Sequence, residues 1–182
     1  MERNIMTVSE RFALCALDFV EKVFTDSEGA EEGKLVRRLV EEIRSKAYYM
    51  PELELIMTDE HEEIIGYVMF SRFHIEGRYE HELLLLSPVA VKTALQRQHI
   101  SKELIEYGFE KAAGMGFKAV MVEGNPLNYR SRGFETSAKY GVVAAPSVHL
   151  PHEDCMMIRA LVPGGLDGVH GMVDYSMYDT LT

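Results

Sequence analysis

Residues Glu82–Val91 read Glu-Leu-Leu-Leu-Leu-Ser-Pro-Val-Ala-Val, a nearly unbroken apolar run of strand length with a proline inside it. A run this short and this continuous predicts a central strand covered on both faces, so layers must lie on either side of its sheet. Pro88 cannot donate to a ladder, which predicts a bulge or a splayed edge near Ser87–Pro88. A polar loop, Lys92–Gln98, follows. Beyond it Ile100, Leu104, Ile105, Gly108, Phe109 and Ala112 recur with a helical period from about His99 to Met115, and Gly114 and Gly116 supply the stop.

The flanking segments supply the other layers. Ile5–Val8 reads as a short first strand, and Ser9 as the cap of a helix through Phe24 with Phe12, Ala16, Phe19, Val20 and Val23 on one face. After a polar turn, Thr25–Gly29, a second helix over about Ala30–Lys46 should bury Leu35, Val36, Leu39, Val40 and Ile43. Leu53–Thr58 and Ile64–Ile75 flank the charged turn Asp59–Glu63 as an antiparallel hairpin. Phe117–Glu123 is another buried strand, and Asn125-Pro126 turns the chain into a brief helix ending near Gly133-Phe134. Val142–Leu161 reads as a strand pair, Met156–Leu161 being the clearer member, and Pro163–Tyr175 as a glycine-rich tail of turns. The fold class is α/β with a mixed sheet, in one domain over residues 1–182.

Several function classes drop out. The net charge of −10 argues against non-specific nucleic-acid binding, which needs clustered Lys and Arg. No apolar run approaches the roughly 18 residues of a spanning helix. Met1-Glu2-Arg3-Asn4 begins no secretory signal, and Cys15 and Cys155 make no disulfide framework, so a reducing cytoplasm is the expected compartment. His149, His152 and Cys155 have spacings a zinc site could use, but Pro151 breaks the segment and no second ligand cluster exists; no metal is expected.

Chemistry concentrates around the central strand. The loop Gln96-Arg97-Gln98-His99-Ile100-Ser101 leads into a helix start, where unpaired N–H groups attract phosphate oxygens and Arg97 and Lys102 add charge. The loop alone is equally compatible with an ordinary helix start capped near Ser101. Tyr129 stands five residues before Phe134, within Gly124-Asn125-Pro126-Leu127-Asn128-Tyr129-Arg130-Ser131-Arg132-Gly133-Phe134. A lone tyrosine there is more often a half-buried packing residue.

In order and spacing, the strand Leu83–Val91, the loop and the following helix resemble the acetyl-CoA site of GNAT acetyltransferases, whose loop reads Gln/Arg-x-x-Gly-x-Gly/Ala. His99 and Ser101 stand where that pattern has small residues. Tyr48-Tyr49-Met50-Pro51-Glu52-Leu53, Gly66-x-x-x-Phe70-Ser71 and Pro163-Gly164-Gly165-Leu166-Asp167-Gly168-Val169-x-Gly171 resemble the YhbS-like branch of the same family. The resemblance implies the GNAT fold and acetyl-CoA as co-substrate. It implies that the backbone of Val89, Ala90 and Val91 meets the pantetheine arm, and that Gln96, Arg97, Gln98, His99, Ile100, Ser101 and Lys102 meet the phosphates. Asn125 and Tyr129 would stand beside the thioester, with Tyr129 as general acid, since a phenol is protonated at neutral pH. A carboxylate on the central strand would be the base: Glu82, ahead of His81.

The acceptor implied is a small-molecule amine or a peptide N-terminus. Its pocket would be built from the early helices, the loop after Ile75 and the C-terminal strands. Copies of such chains often pair through those strands, so a homodimer is an expectation too. Two alternatives stay open: a GNAT-fold binding or regulatory module with little catalysis, and an acyltransferase whose donor lacks a pyrophosphate, such as an acyl carrier protein.

Overall fold

The computed structural model describes residues 1–181. The elements are β1 (Asn4–Thr7), α1 (Glu10–Glu28), α2 (Ala30–Arg44), β2 (Glu54–Thr58), β3 (Ile64–Arg72), β4 (Leu83–Val91), α3 (Ile100–Gly114), β5 (Ala119–Glu123), α4 (Pro126–Tyr129), β6 (Glu135–Thr136), β7 (Val142–Ala144), β8 (Met156–Ala160) and β9 (Gly171–Val173), joined by turns and short 3-10 segments. A seven-stranded sheet has the order β1-β2-β3-β4-β5-β8-β6; β7 and β9 form a separate parallel pair. In the large sheet only β4 and β5 run parallel.

Leu83, Leu84, Leu85 and Leu86 are all at most 3% exposed, as a strand covered on both faces requires. Period-two alternation sends Leu83 and Leu85 into a core shared with α1 and α2, and Leu84 and Leu86 into a second core beneath α3. Each such burial contributes about 2 kcal/mol. Helix α3 lies close on the sheet because Gly108 has no side chain; a Cβ there would stand 2.2 Å from the Phe70 ring. Pro88 is accommodated as a bulge: between the pairs Val68–Val89 and Phe70–Leu86, two steps on β3 match three on β4.

Four expectations are corrected. The polar residues after Phe24 do not end α1, which runs to Glu28; the chain breaks at Gly29, whose φ of 100° closes one helix and opens the next. Polarity marks an exposed last turn there, while backbone geometry marks the stop. Phe19 and Leu35 are only half-buried, and Leu17 takes a core place instead. The stretch Val142–Leu161 is not a strand pair. β8 sits between β5 and β6, and β7 pairs with Gly171–Val173 of the tail, so that tail is more than turns. Finally, β4 begins at Leu83 and leaves Glu82 outside the strand.

Away from the fork described below, one polar cluster is buried in the sheet. Glu54 is 0% exposed and receives Arg44 at 2.6 Å and the Tyr67 hydroxyl at 2.8 Å; the Tyr49 hydroxyl also donates to it. Arg44 reaches back to the Ala13 carbonyl at 3.0 Å, so the cluster ties α1, α2 and β2 together.

Candidate active site

β4 and β5 stay hydrogen-bonded only through Leu83–Leu85 and Ala119–Met121. Past that point the strands part, β4 remaining paired to β3 and β5 to β8. The facing edges of the fork, including the backbone of Val89, Ala90 and Val91, carry no strand between them. Backbone groups so exposed can pair with an extended ligand as with another strand.

A cavity of about 980 Å³ opens at the fork. β4 supplies Leu85 to Val89 to its wall, and the end of β5 supplies Glu123 with Gly124, Asn125 and Tyr129 beyond. The α1–α2 corner adds Glu28 and Glu32 beside apolar Phe24 and Leu35, and the tail adds Asp174 and Tyr175. Among the described residues no Lys or Arg lines it, so its charge is negative. Hydrogen bonds from Ser176 hold the Asp174 carboxyl below the usual carboxylate range, keeping that charge in place at neutral pH.

Tyr129 is positioned from both sides. Asn125 accepts from the Leu127 N–H at 3.0 Å and so caps α4, with Pro126 in its first turn. The Tyr129 ring meets Phe134 edge-on at 5.8 Å and lies over Gly124, where a Cβ would stand 2.7 Å from the ring. Burial pushes the phenol above its ordinary range, and the neighbouring Arg132 guanidinium opposes that in part.

Between β4 and α3, Gln96, Arg97, Gln98 and His99 are exposed. Although His99 has a Cβ, it adopts the left-handed backbone (φ 64°) that glycine adopts readily, and Arg97 does the same (φ 62°). The first turn of α3 then begins at Ile100, where N–H groups lack partners within the helix. Lys102 stands 3.9 Å from Glu106. Arg132, which no local sequence signal singled out, donates to the Ser101 hydroxyl at 2.8 Å, and its Nε is buried without a partner among the described residues. A phosphate oxygen would satisfy such an orphaned donor.

The structure does not bring Glu82 to this place. Glu82 precedes β4 at the end of the strand farther from Ser87–Val91, lies 3.4 Å from Lys118, and is absent from the cavity wall. β4 and β5 are parallel, so the residue entering β4 and the tyrosine following β5 lie at opposite ends of the sheet. His81, exposed and 3.4 Å from Glu80, shares that end. The loop after Ile75 is likewise outside the cavity: Arg78 and Tyr79 bind the tail carbonyls of His170 and Gly168. Of the zinc-spaced residues, His149 lines the cavity and His152 accepts from the Asp154 N–H at 3.1 Å. Among the described residues no group of three His, Cys, Asp or Glu gathers as a metal would need, and no helix is long and apolar enough to cross a membrane.

This architecture has solved counterparts. A GNAT family N-acetyltransferase, YhbS, from Escherichia coli in complex with CoA superposes with a TM-score of 0.79 at 23% identity, over 96% of this chain and 89% of that one. A GNAT family acetyltransferase from Brucella melitensis in complex with acetyl-CoA superposes with a TM-score of 0.72 at 22% identity, over 100% and 99%. In sequence, the uncharacterized N-acetyltransferase YhbS of Escherichia coli strain K12 is 28% identical over 139 residues, 76% of this chain and 79% of that protein. The model of the acetyltransferase (GNAT) family matches residues 18–136, a span containing β2 to β5, α3 and Tyr129. With the forked parallel pair and the helix start beside it, that match settles the kinship: the chain belongs to the acetyltransferase (GNAT) family.

Proposed function

We propose that the chain transfers an acetyl group from acetyl-CoA to the amine of a small molecule or a peptide N-terminus, the nitrogen attacking the thioester directly. The observation that carries this reading is the β4–β5 fork, with Tyr129 in the wall of its cavity and the first turn of α3 tied to the turn after Tyr129 by the Arg132–Ser101 hydrogen bond. The backbone of Val89, Ala90 and Val91 pairs with the pantetheine arm. Gln96 to Ser101 present N–H groups to the pyrophosphate, with Arg97, Lys102 and Arg132 supplying charge. Asn125 holds α4 so that the Tyr129 phenol can protonate the departing thiolate. Backbone N–H groups near the Leu86–Val91 splay polarise the thioester carbonyl.

The acidic wall favours an amine that carries further positive charge over an anionic amino acid. Residues 1–182 act in this reading as one domain. Cys15 and Cys155, both free, suit a reducing cytoplasm. Self-association is a separate expectation, answered by sedimentation of the purified chain.

Calorimetric titration with acetyl-CoA, followed by thiol release with spermidine, a monoamine and a free-N-terminal peptide, tests the reading. Binding with turnover of at least one amine is the expected result. Absence of any heat or thermal shift would remove the cofactor assignment. Binding without turnover would favour the GNAT-fold module that holds its ligand and does not transfer.

A further inference from the structure

With Glu82 at the far end of the sheet, the cavity lacks an assigned group to take the amine's proton. Glu123 is the last residue of β5 and lines the cavity beside the fork. Its backbone is fixed by β8: Glu123 pairs with Met156, and the Gly124 N–H donates to the Cys155 carbonyl at 2.9 Å. Ala119 and Met121 of the same strand point into the core shared with α1 and α2, and alternation places Glu123 on that face. Tyr129 packs instead against the core beneath α3. The two side chains therefore stand on opposite faces of one strand end.

The Glu123 carboxylate is also held. The Tyr175 hydroxyl donates to its Oε2 at 2.6 Å. Tyr175 is itself fixed by ring contacts with Phe73 at 6.1 Å and Tyr178 at 6.5 Å. The charged or titratable groups facing this carboxylate across the cavity are Glu28 and Glu32 from the helix corner, Asp174 and Tyr175 from the tail, His149, and Tyr129 beyond Gly124. Among the described residues none of these carries a fixed positive charge, which suits the position to an incoming ammonium. Beside it Leu85, Leu86 and Pro88 form an apolar wall. An ammonium pressed against that wall loses hydration, which favours its neutral form and proton transfer to the carboxylate.

We propose that Glu123, positioned by Tyr175, receives the acceptor's amine at the fork and takes its proton as the nitrogen attacks. The inference rests on the acetyl-transfer reading above. One proton passes from R–NH3+ to the Glu123 carboxylate and on to solvent. The nitrogen lone pair forms the C–N bond, and the C–S bond breaks with its electron pair on sulfur. Tyr129 gives that sulfur a proton, and the second proton leaving nitrogen restores the phenol. The balance is R–NH3+ plus acetyl-CoA to R–NH–acetyl plus CoA–SH plus one proton.

The test measures kcat and the KM for the amine in the full chain and in E123Q, E123D and Y175F, with spermidine and the peptide as acceptors and acetyl-CoA affinity as the control for folding. E123Q should lose about 100-fold or more in kcat/KM, while acetyl-CoA binds as before. E123D should recover part of the rate. Y175F should lower kcat about tenfold while the KM for the amine and the acetyl-CoA affinity stay within about twofold, a split that a merely structural tyrosine would not produce. If the natural chain turns over amine and E123Q matches its rate, the assignment of Glu123 is overturned and the acetyl-transfer reading stands. If the natural chain turns over no amine, that reading falls and the assignment falls with it.

Discussion

Arg132 donates to the Ser101 hydroxyl at 2.8 Å, joining the turn after Tyr129 to the first turn of α3 across 31 residues of sequence. Its Nη1 also donates to the Asn128 carbonyl, and its Nε–H is left without a partner among the described residues. If it completes a phosphate site, Arg132→Ala should weaken acetyl-CoA binding. Charge-assisted hydrogen bonds contribute about 1.5–3 kcal/mol, so the dissociation constant should rise about tenfold or more. Titration calorimetry checks this. An unchanged constant would mean that Arg132 only braces α4 against α3.

His99 offers the complementary case. Its left-handed backbone costs a residue with a Cβ about 1–2 kcal/mol. A glycine would remove that strain and would add about 0.5–1 kcal/mol of unfolded-state entropy. Strain should win narrowly, so His99→Gly should raise the melting temperature by about 1–2 °C. Acetyl-CoA should bind at least as tightly, because the exposed imidazole leaves and the N–H array remains. Weaker binding would identify the imidazole as a ligand.

These two residues show how unevenly the molecule was legible in its sequence. Leu83–Leu86 announced a doubly covered strand, Pro88 announced the bulge, and the stripe from Ile100 to Ala112 announced α3, since each is a local pattern with one physical cause. The phosphate loop was visible as a helix start, but whether His99 could hold the backbone of a glycine depends on φ, which composition does not encode. The early helices and the C-terminal segment were expected around the acceptor, but the acidic residues of the cavity wall were hidden for a different reason. Glu28 and Glu32 at the helix corner, Glu123 and Asp174 come from three places along the chain, and each reads alone as ordinary solvated surface. Glu82 misled because a carboxylate entering the right strand lies at the wrong end once β4 and β5 are known to be parallel. The β7–β9 pair escaped because strands of three residues with a glycine carry almost no period.

Buried polar order should be felt in stability. Glu54→Ala would leave Arg44 and the hydroxyls of Tyr49 and Tyr67 without their shared acceptor. Removing one partner from a buried ion pair costs about 3–5 kcal/mol. The chain should therefore melt roughly 10 °C lower. A loss below about 1 kcal/mol would show that water replaces the carboxylate.

The surface pair Lys118–Glu82, at 3.4 Å with both side chains about half exposed, should behave oppositely. Exposed pairs contribute about 0–1 kcal/mol. Glu82→Gln should leave kcat within about twofold of the natural chain and stability within about 1 kcal/mol. A hundredfold loss of kcat would return Glu82 to the mechanism, against its position in the fold.

Tyr129 closes the chemical argument through its protonation state. A general acid works only while it holds its proton, and burial raises this phenol above its ordinary range of about 10. The protonated fraction thus stays near unity through neutral and mildly alkaline pH. The rate of acetyl transfer should show no basic limb from this group until the ordinary tyrosine range is passed. Tyr129→Phe keeps the ring on Phe134 and Gly124 and deletes only the hydroxyl. Turnover should fall about 100-fold or more, while acetyl-CoA affinity changes by no more than about twofold. Equal losses in turnover and affinity would instead make Tyr129 a wall of the thioester site, with the thiolate taking its proton from water.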